Sequence, residues 1–392
     1  MKDFLDYKDE IYTCSRCGLC QSVCPVYEIT KKETTVSRGF FSLLNGIIKG
    51  HLKFNKKIRK NIDTCLTCNK CKNYCPSGID AEKIIISAKI ASYAYAPFWK
   101  KLVLSGLYSK NFLKLASLSK LYLIFPILNF SKIGKILYEF LKPNIKYKKQ
   151  NPIKTSNLNV AFFSGCINNY FNSSSLDAMK MICEQNGINY TMPDFDCCTM
   201  PAYNIGDIDS FKKFAKKNLA KIPNNVDYII FDCATCKKAF AIYIEVLDGE
   251  EKEQKKAQAV WDKCKHINEF LLEQNIDLPQ LNSKAFYHTP CHLDCEDATL
   301  ELMQKMNIEV APSEKRCCGS AGLFLIENIK ISNALAKKKA YDINITAANA
   351  IFTDCPLCRL GLIKGSILSN FDKKIFNLAE IIVKNMETNF KV

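Results

Sequence analysis

The stretch CSRCGLCQSVCP at residues 14–25 supplies the pattern around which the chain is organised. Its cysteines follow the spacing C-x2-C-x2-C-x3-C-P, and the same spacing returns at residues 65–76 as CLTCNKCKNYCP. Three closely spaced cysteines on a tight loop can offer three thiolates to one metal centre. The fourth, which precedes a proline, points elsewhere. The two runs together therefore predict two metal centres, each of which takes its fourth ligand from the other run.

This spacing is that of bacterial-type ferredoxin runs, in which the fourth cysteine ligates the other of two [4Fe–4S] clusters. We predict two cubane [4Fe–4S] clusters held by Cys14, Cys17, Cys20 and Cys75 and by Cys65, Cys68, Cys71 and Cys24. A zinc site or disulfides are the alternative, but zinc sites pair two C-x2-C units. The apolar periodicity of residues 40–48 between the runs predicts a helix, which favours an α-helical ferredoxin over a compact β-rich one.

The composition describes a long, cysteine-rich chain. Its 392 residues, 48% of them hydrophobic, allow two or three domains. Twenty-one cysteines in so long a chain do not fit a small secreted disulfide scaffold, and the charged amino terminus lacks the apolar run of a signal peptide. No uncharged apolar run reaches the roughly 18 residues that a membrane span needs. We therefore expect a protein of the reducing cytoplasm, where thiolates stay free for metal.

Much of the formal net charge of +16 lies in one segment. Residues 98–149 contain eleven lysines, one acidic residue (Glu139) and no cysteine. The lysines are interleaved with Leu, Ile, Phe and Tyr, as in a basic amphipathic segment that lies on an anionic membrane surface or docks on an acidic partner. A packed pair of connecting helices with a solvated lysine face is the alternative. We expect no nucleic-acid partner, because recognition motifs and stacking platforms are missing.

From residue 157 onward a pattern of strands, helices and cysteines occurs twice. Each copy has a single cysteine after a strand, a vicinal pair in a loop, and a C-x2-C motif where a strand leads into a helix. The cysteines are Cys166, Cys197, Cys198, Cys233 and Cys236 in the first copy, and Cys291, Cys317, Cys318, Cys355 and Cys358 in the second. The single cysteine and the C-x2-C motif are 67 residues apart in the first copy and 64 in the second. We predict a duplicated α/β unit.

Each set of five cysteines is expected to converge. Strand ends in an open α/β sheet meet at one edge, and a helix amino terminus favours thiolate over thiol. Five thiolates exceed the four ligands of a tetrahedral zinc site. The pattern therefore favours a metal cluster in each copy, with a redox-active disulfide as the competing interpretation.

Several residues near these motifs have two possible roles. His288 and His292 flank Cys291 and either bond to cluster sulfur and deliver protons, or cap a strand-to-helix turn. Lys237 and Arg359 follow the C-x2-C motifs, and either balance cluster charge or are exposed. Among the remaining cysteines, we predict core packing for Cys183 and Cys264. Cys295 either packs in the core or faces the second metal site.

The motifs resemble the CCG-domain pattern of the heterodisulfide reductase family. The resemblance is carried by Gly165-Cys166, Cys197-Cys198, Cys233-x2-Cys236, His288-Thr289-Pro290-Cys291-His292, Cys317-Cys318-Gly319-Ser320-Ala321-Gly322 and Cys355-x2-Cys358. With the ferredoxin part, nearly the whole chain resembles three iron–sulfur subunits. These are the ones of glycolate oxidase, of anaerobic glycerol-3-phosphate dehydrogenase and of the membrane-linked heterodisulfide reductase. One departure is Thr199, which stands where the family has the glycine of its CCG motif.

The residues and the resemblance together define an expected architecture, an α+β multidomain protein. An N-terminal α-helical two-cluster ferredoxin domain is followed by a duplicated α/β CCG domain. The predicted parts are the ferredoxin-like domain at residues 1–97, the basic amphipathic connecting segment at 98–150, the first CCG unit at 151–278 and the second at 279–392. The resemblance implies one or two further [4Fe–4S] clusters, of the non-cubane kind, in the CCG units.

The resemblance implies an electron-transfer subunit that works with a separate FAD-containing dehydrogenase of the glycolate, lactate or glycerol 3-phosphate type. Electrons would pass toward a quinone or another acceptor, with the chain on the inner face of the cell membrane or beside a membrane quinone or haem partner. The sequence has no dinucleotide-binding, P-loop or haem-attachment motif, so we expect partners at both ends of the path and no catalytic acid–base residue. The alternative function is a disulfide reductase, which the complete five-cysteine sets favour. Whether the chain is itself an enzyme stays open.

Overall fold

The structure is a computed structural model that describes residues 3–123, 131–274, 276–371 and 373–388. A helical, cysteine-rich part comes first, a helical connecting segment follows, and two α/β units complete the chain. This order confirms the predicted fold class.

Short helices make up the amino-terminal part, because the cysteine loops interrupt them. The helices are α1 (Lys8–Tyr12), α2 (Leu19–Val23), α3 (Pro25–Thr30), α4 (Ser37–Ile48), α5 (Lys56–Ile62), α6 (Lys70–Asn73) and α7 (Ala81–Ala91), with 3-10 turns at Phe4–Tyr7, Glu33–Thr35 and Tyr93–Tyr95. The helix predicted at residues 40–48 is α4. Its Phe40 and Leu44 are buried in the same core as Ile84 and Ile85 of α7. Cysteines of both loops pack against this core, so the two helices support the loops.

The connecting segment is mostly helical as far as residue 141, within the part that the structure describes, and residues 142–150 are not helical. It contains α8 (Phe98–Leu107), α9 (Lys110–Ser117), a 3-10 stretch at Leu118–Leu123 and α10 (Lys132–Leu141). Residues 124–130, which belong to the predicted basic segment, lie outside the described residues. Among the described helices of the chain, none has the length and apolar content that crossing a membrane requires.

The first α/β unit is built on a four-stranded parallel sheet. Its strands are β1 (Asn159–Phe163), β2 (Asn189–Thr191), β3 (Tyr228–Phe231) and β4 (Cys264–His266), in the order β2-β1-β3-β4. Its helices are α11 (Gly165–Tyr170), α12 (Ser174–Gln185), α13 (Met200–Ile205), α14 (Ile208–Ala220), α15 (Ala234–Val246), α16 (Glu251–Trp261) and α17 (Ile267–Glu273).

The second unit repeats this topology. Its parallel strands are β5 (Ser283–Tyr287), β6 (Ile308–Val310), β7 (Ala350–Phe352) and β8 (Ile375–Phe376), in the order β6-β5-β7-β8. Its helices are α18 (Glu296–Lys305), α19 (Phe324–Glu327), α20 (Ile329–Asn344), α21 (Pro356–Leu368) and α22 (Leu378–Thr388). The same strand order in both sheets confirms the predicted duplication.

The predicted strands are the two central strands of each sheet. These strands are apolar and buried, since helices cover both faces of a parallel sheet. One large core joins the two units, because Val160 and Phe162 of the first sheet belong to the same buried cluster as Tyr287 and Phe352 of the second. Cys264 is buried, as predicted, and it lies in the edge strand β4.

Buried ion pairs tie the helical part to both units. The Arg59 guanidinium is fully buried; it pairs with Asp63 at 3.0 Å and donates to the Ile205 carbonyl oxygen of the first unit at 2.7 Å. The Lys100 ammonium lies 2.8 Å from Asp63 and 2.6 Å from Glu327 of the second unit. Because buried charges are costly unless they are paired, this network holds the three parts in one arrangement.

Candidate iron–sulfur sites

The first predicted set of four cysteines lines one small cavity, the outer ferredoxin cavity. It has a volume of about 30 Å³ and is lined by Cys14, Cys17, Cys20 and Cys75, and also by Cys71. Gly18 has a φ of +87°, a conformation that suits glycine, and it begins α2 between Cys17 and Cys20. Cys17 is exposed to solvent, and a backbone N–H bond from Leu19 lowers the pKa of its thiol.

The second predicted set lines a neighbouring cavity, the inner ferredoxin cavity. Its volume is also about 30 Å³, and its cysteines are Cys24, Cys65, Cys68 and Cys71. Polar groups aim at three of these sulfurs. The Tyr27 and Thr67 N–H groups donate to the Cys24 and Cys65 Sγ atoms at 3.4 Å, and the Ser37 hydroxyl donates to Cys71 Sγ at 3.2 Å. Burial raises the pKa of Cys65 to about 12, so a metal must displace this proton when it binds.

All ten cysteines of the two predicted five-cysteine sets line a single larger cavity, which we call the CCG cavity. Its volume is about 130 Å³, and its cysteines are Cys166, Cys197, Cys198, Cys233, Cys236, Cys291, Cys317, Cys318, Cys355 and Cys358. Cys68 of the inner ferredoxin cavity also lines it. The cavity is more than four times larger than either ferredoxin cavity, which suits two neighbouring five-cysteine sets.

The C-x2-C motifs reach this cavity from two helix amino termini. Cys233 and Cys355 follow the central strands β3 and β7 and are the capping residues of α15 and α21. The two turns touch, since the Ala234 N–H donates to the Asp354 carbonyl oxygen at 3.0 Å. Hydrogen bonds from the Cys233 and Cys358 thiols hold the pKa of Cys355 well below its usual range, which favours the thiolate that binds metal.

The vicinal pairs have the same backbone geometry in both copies. Thr199 and Gly319 have φ angles of +54° and +80°, and their N–H groups donate to the Cys197 and Cys317 Sγ atoms at 3.4 Å and 3.3 Å. Thr199 therefore has the positive φ that a glycine would adopt at this position, although this backbone conformation is strained for a residue with a side chain. In the second copy this position has no room for a side chain, because a Cβ at Gly319 would lie 2.6 Å from the Ser332 carbonyl oxygen.

The residues around the CCG cavity fit an iron–sulfur group. All the cysteines of the chain are free thiols, which supplies the sulfur donors that iron clusters use. Two buried polar atoms at the second set, Ser320 Oγ and His288 Nε2, have no hydrogen-bond partner among the described residues. A ring nitrogen of His288 and the Cys318 and Cys358 sulfurs lie within 4.8 Å of one another. In the first set, a Cβ at Gly165 would lie 3.2 Å from Cys236 Sγ, so the glycine leaves that sulfur space.

The other residues singled out from the sequence separate into two groups. His292 lines the CCG cavity, and its Nδ1 lies 3.1 Å from the Thr235 hydroxyl. Lys237 does not line it, since its ammonium pairs with Glu269 and Asp294 at 2.6 Å and 3.0 Å. Arg359, Cys183, Cys264 and Cys295 do not line it either.

Comparison with known proteins agrees with this arrangement. Residues 10–79 match the model of a 4Fe-4S dicluster domain, and residues 160–241 and 285–363 match the cysteine-rich CCG domain. The chain thus belongs to the family of iron–sulfur proteins that join a dicluster domain to two CCG domains, and it binds iron–sulfur clusters.

Three relatives show the range of proteins that the chain is similar to. It is 26% identical to a probable glycolate oxidase iron–sulfur subunit of Bacillus subtilis, over 96% of this chain and 94% of that protein. It is also 26% identical to one subunit of the fumarate reductase (CoM/CoB) of Methanothermobacter marburgensis, over 96% of this chain and 73% of that protein. A lactate utilization protein A of Anoxybacillus flavithermus is 30% identical over 50% of this chain and 88% of that protein.

The sequence interpretation missed some of the residues that shape the CCG cavity. Cysteine spacing did not indicate that Leu66 and Cys68 of the ferredoxin part would also line it, or that both five-cysteine sets would share it. Ser320 lies within a motif that was recognised, but nothing in the motif indicates an unpaired hydroxyl.

We predict that the two equivalent loop positions respond differently to substitution. Gly319→Ala should destabilise the protein by about 1–3 kcal/mol, because the new Cβ meets a carbonyl oxygen and the backbone is in the left-handed region. Thr199→Gly should have little effect, since glycine adopts the same φ without strain. Thermal unfolding of anaerobically purified protein measures both. Equal effects of the two substitutions would contradict the geometry.

Proposed function

We propose that the chain is the iron–sulfur electron-transfer subunit of an oxidoreductase whose substrate is oxidised by a separate FAD-containing dehydrogenase subunit. The dehydrogenase would act on a small hydroxy compound of the glycolate, lactate or glycerol 3-phosphate type, with a quinone or another acceptor at the far end. The names of the relatives support this proposal, since two of the three describe subunits and the third a lactate utilization protein.

The proposal assigns four clusters to the three cavities. The outer and inner ferredoxin cavities would each hold a cubane [4Fe–4S] cluster on the four cysteines predicted for it. The CCG cavity would hold one non-cubane [4Fe–4S] cluster on each five-cysteine set. An iron–sulfur cluster, when bound, supplies a redox centre whose potential depends on charge, hydrogen bonds to sulfur and exposure.

The observation that carries the proposal is the continuity of the three cavities. Cys71 lines both the outer and the inner ferredoxin cavity. Cys68 lines both the inner ferredoxin cavity and the CCG cavity. Each cavity therefore shares a cysteine with the next, which is the arrangement that a chain of redox centres needs.

The first cavity of this series has a cysteine in contact with solvent. Cys17 of the outer ferredoxin cavity is exposed, whereas the other ferredoxin cysteines are partly buried. A partner protein can therefore approach this end of the series.

A disulfide reductase is the second candidate function. Both five-cysteine sets are complete, and their ten cysteines line one cavity. A paramagnetic state that forms only when the oxidised protein meets a thiol would favour this candidate. Ordinary cluster reduction without any such state across a range of thiols would exclude it.

We also propose that the connecting segment rests on an anionic lipid surface. Leu115 and Ile133 are 64% and 70% exposed, and Lys114 and Lys132 beside them are exposed as well. Apolar side chains flanked by lysines suit an interface of acyl chains and anionic headgroups. Such a site would bring the chain near a quinone or a haem partner in the membrane.

The electron-transfer proposal is tested by breaking the series in the middle. Cys65→Ser removes a ligand of the inner ferredoxin cavity, so with photoreduced flavin mononucleotide as donor the CCG centres should be reduced at least an order of magnitude more slowly. Cys183→Ser, which changes a buried cysteine outside all three cavities, is the matched control. Rapid-freeze paramagnetic resonance follows both, with iron analysis to show that the CCG centres are retained. Equal rates in the two variants would contradict the proposal.

The membrane proposal is tested by charge reversal. Replacing Lys114, Lys120 and Lys132 by Glu should weaken binding to phosphatidylglycerol-containing vesicles by roughly a hundredfold or more, since each basic residue near the surface contributes about 1 kcal/mol. The control replaces three exposed lysines of α16, Lys252, Lys255 and Lys256, by Glu. Vesicle co-sedimentation measures binding. Unchanged binding of the first variant, or an equal loss in the control, would retire the proposal.

A further inference from the structure

The two CCG copies differ in charge beside their cysteines. Lys364 lies six residues after Cys358 in α21, and the corresponding position in α15, six residues after Cys236, is Ile242. Both side chains are buried. The duplication therefore places an ammonium group at the second set and an apolar side chain at the first.

Lys364 lies in the part of α21 that packs against the loop of the vicinal pair of the second set. At Gly361, one turn earlier in α21, a Cβ would lie 2.6 Å from the Cys318 carbonyl oxygen, so this face of the helix packs against the loop. The Lys364 ammonium donates to the Ser332 hydroxyl, which in turn donates to the Gly319 carbonyl oxygen at 2.5 Å. Two hydrogen bonds thus connect the charge to the residue that follows Cys318.

This ammonium group lacks an ordinary counter-ion. Within the part of the chain that the structure describes, the Lys364 ammonium bonds to the Ser332 hydroxyl and to no carboxylate, and the residue is 8% exposed. Cys318 and Cys317 are the groups that oppose the lowering of the Lys364 pKa by burial. A buried charge without a partner is costly, so an anionic centre on these cysteines would supply what is missing.

A second buried lysine faces the same pair but is better compensated. The Lys339 ammonium donates to the Glu314 carbonyl oxygen at 3.0 Å, and the Asp342 carboxylate acts on it more strongly than either cysteine. Lys364 is thus the clearer case of a buried ammonium group near these cysteines that has no carboxylate to balance it.

We propose that Lys364 makes the centre of the second CCG copy easier to reduce than that of the first. A positive charge held in a buried site stabilises the added electron, and net charge is one of the factors that set the potential of an iron–sulfur cluster. The vicinal pair of the second copy also packs against the inner ferredoxin cavity, since Cys317 belongs to the same buried cluster as Leu66, and Cys68 packs against that cluster. An electron that arrives from the inner ferredoxin cavity would then stay at the second copy until an acceptor takes it. This inference rests on the proposed function.

Redox titration of the full-length, anaerobically purified holoprotein with dithionite tests the proposal, with paramagnetic resonance as the readout. Lys364→Met should shift the reduction equilibrium of the second centre at least tenfold toward the oxidised form, about 59 mV for a one-electron couple. Lys364→Arg, which keeps the charge, should stay near the unsubstituted protein. So should Lys337→Met, which removes an exposed lysine of α20.

The possible results separate this proposal from the proposed function. An unchanged potential in Lys364→Met, with full iron content, overturns the role of Lys364 and leaves the electron-transfer function intact. Absence of iron from the CCG cysteines of the unsubstituted protein overturns the proposed function itself. Loss of the second centre in Lys364→Met but not in Lys364→Arg supports the proposed role of the positive charge. Loss in both variants assigns Lys364 a packing role and overturns the proposal.

Discussion

The contact between the two C-x2-C turns is the constraint on which the arrangement depends. In each α/β unit the parallel strands direct their carboxyl ends to one edge, and the cysteines follow those ends. The hydrogen bond from Ala234 to Asp354 brings the two edges together, and the Thr235 hydroxyl of the first copy then lies 3.6 Å from Cys355 Sγ of the second. Ten cysteines therefore face one cavity, and the two sets do not lie in separate compartments.

A second constraint fixes the ferredoxin part against this cavity. Arg59, Asp63 and Lys100 are buried, and Glu327 of the second α/β unit supplies the carboxylate that balances their remaining positive charge. The first unit supplies the Ile205 carbonyl oxygen, which accepts a hydrogen bond from Arg59. The same arrangement places Leu66 and Cys68 in the wall of the CCG cavity. The ion pairs and the shared cysteines together make a continuous series of three cavities, so the function follows from the relative placement of the parts as much as from the cysteine motifs.

The sequence predicts the local features well, and the tertiary features poorly. The central strands could be recognised because β1 and β3 are runs of Val, Ile and Phe that both faces of a sheet bury. The edge strands β2 and β4 were missed because each is only three residues long and partly polar. Spacing also grouped the ferredoxin cysteines into the two sets that line separate cavities. It could not show that both CCG sets share one cavity, or that Lys364 lies beside Cys318, since both depend on contacts between distant segments.

The central claim is that every cysteine set holds a cluster, and the iron content of anaerobically purified protein tests it most directly. With four irons in each of four clusters, the account predicts about 16 irons per chain. A value near 8 would contradict it, because only the two ferredoxin cavities would then be loaded and the CCG cysteines would need another explanation, such as redox thiols or a zinc site.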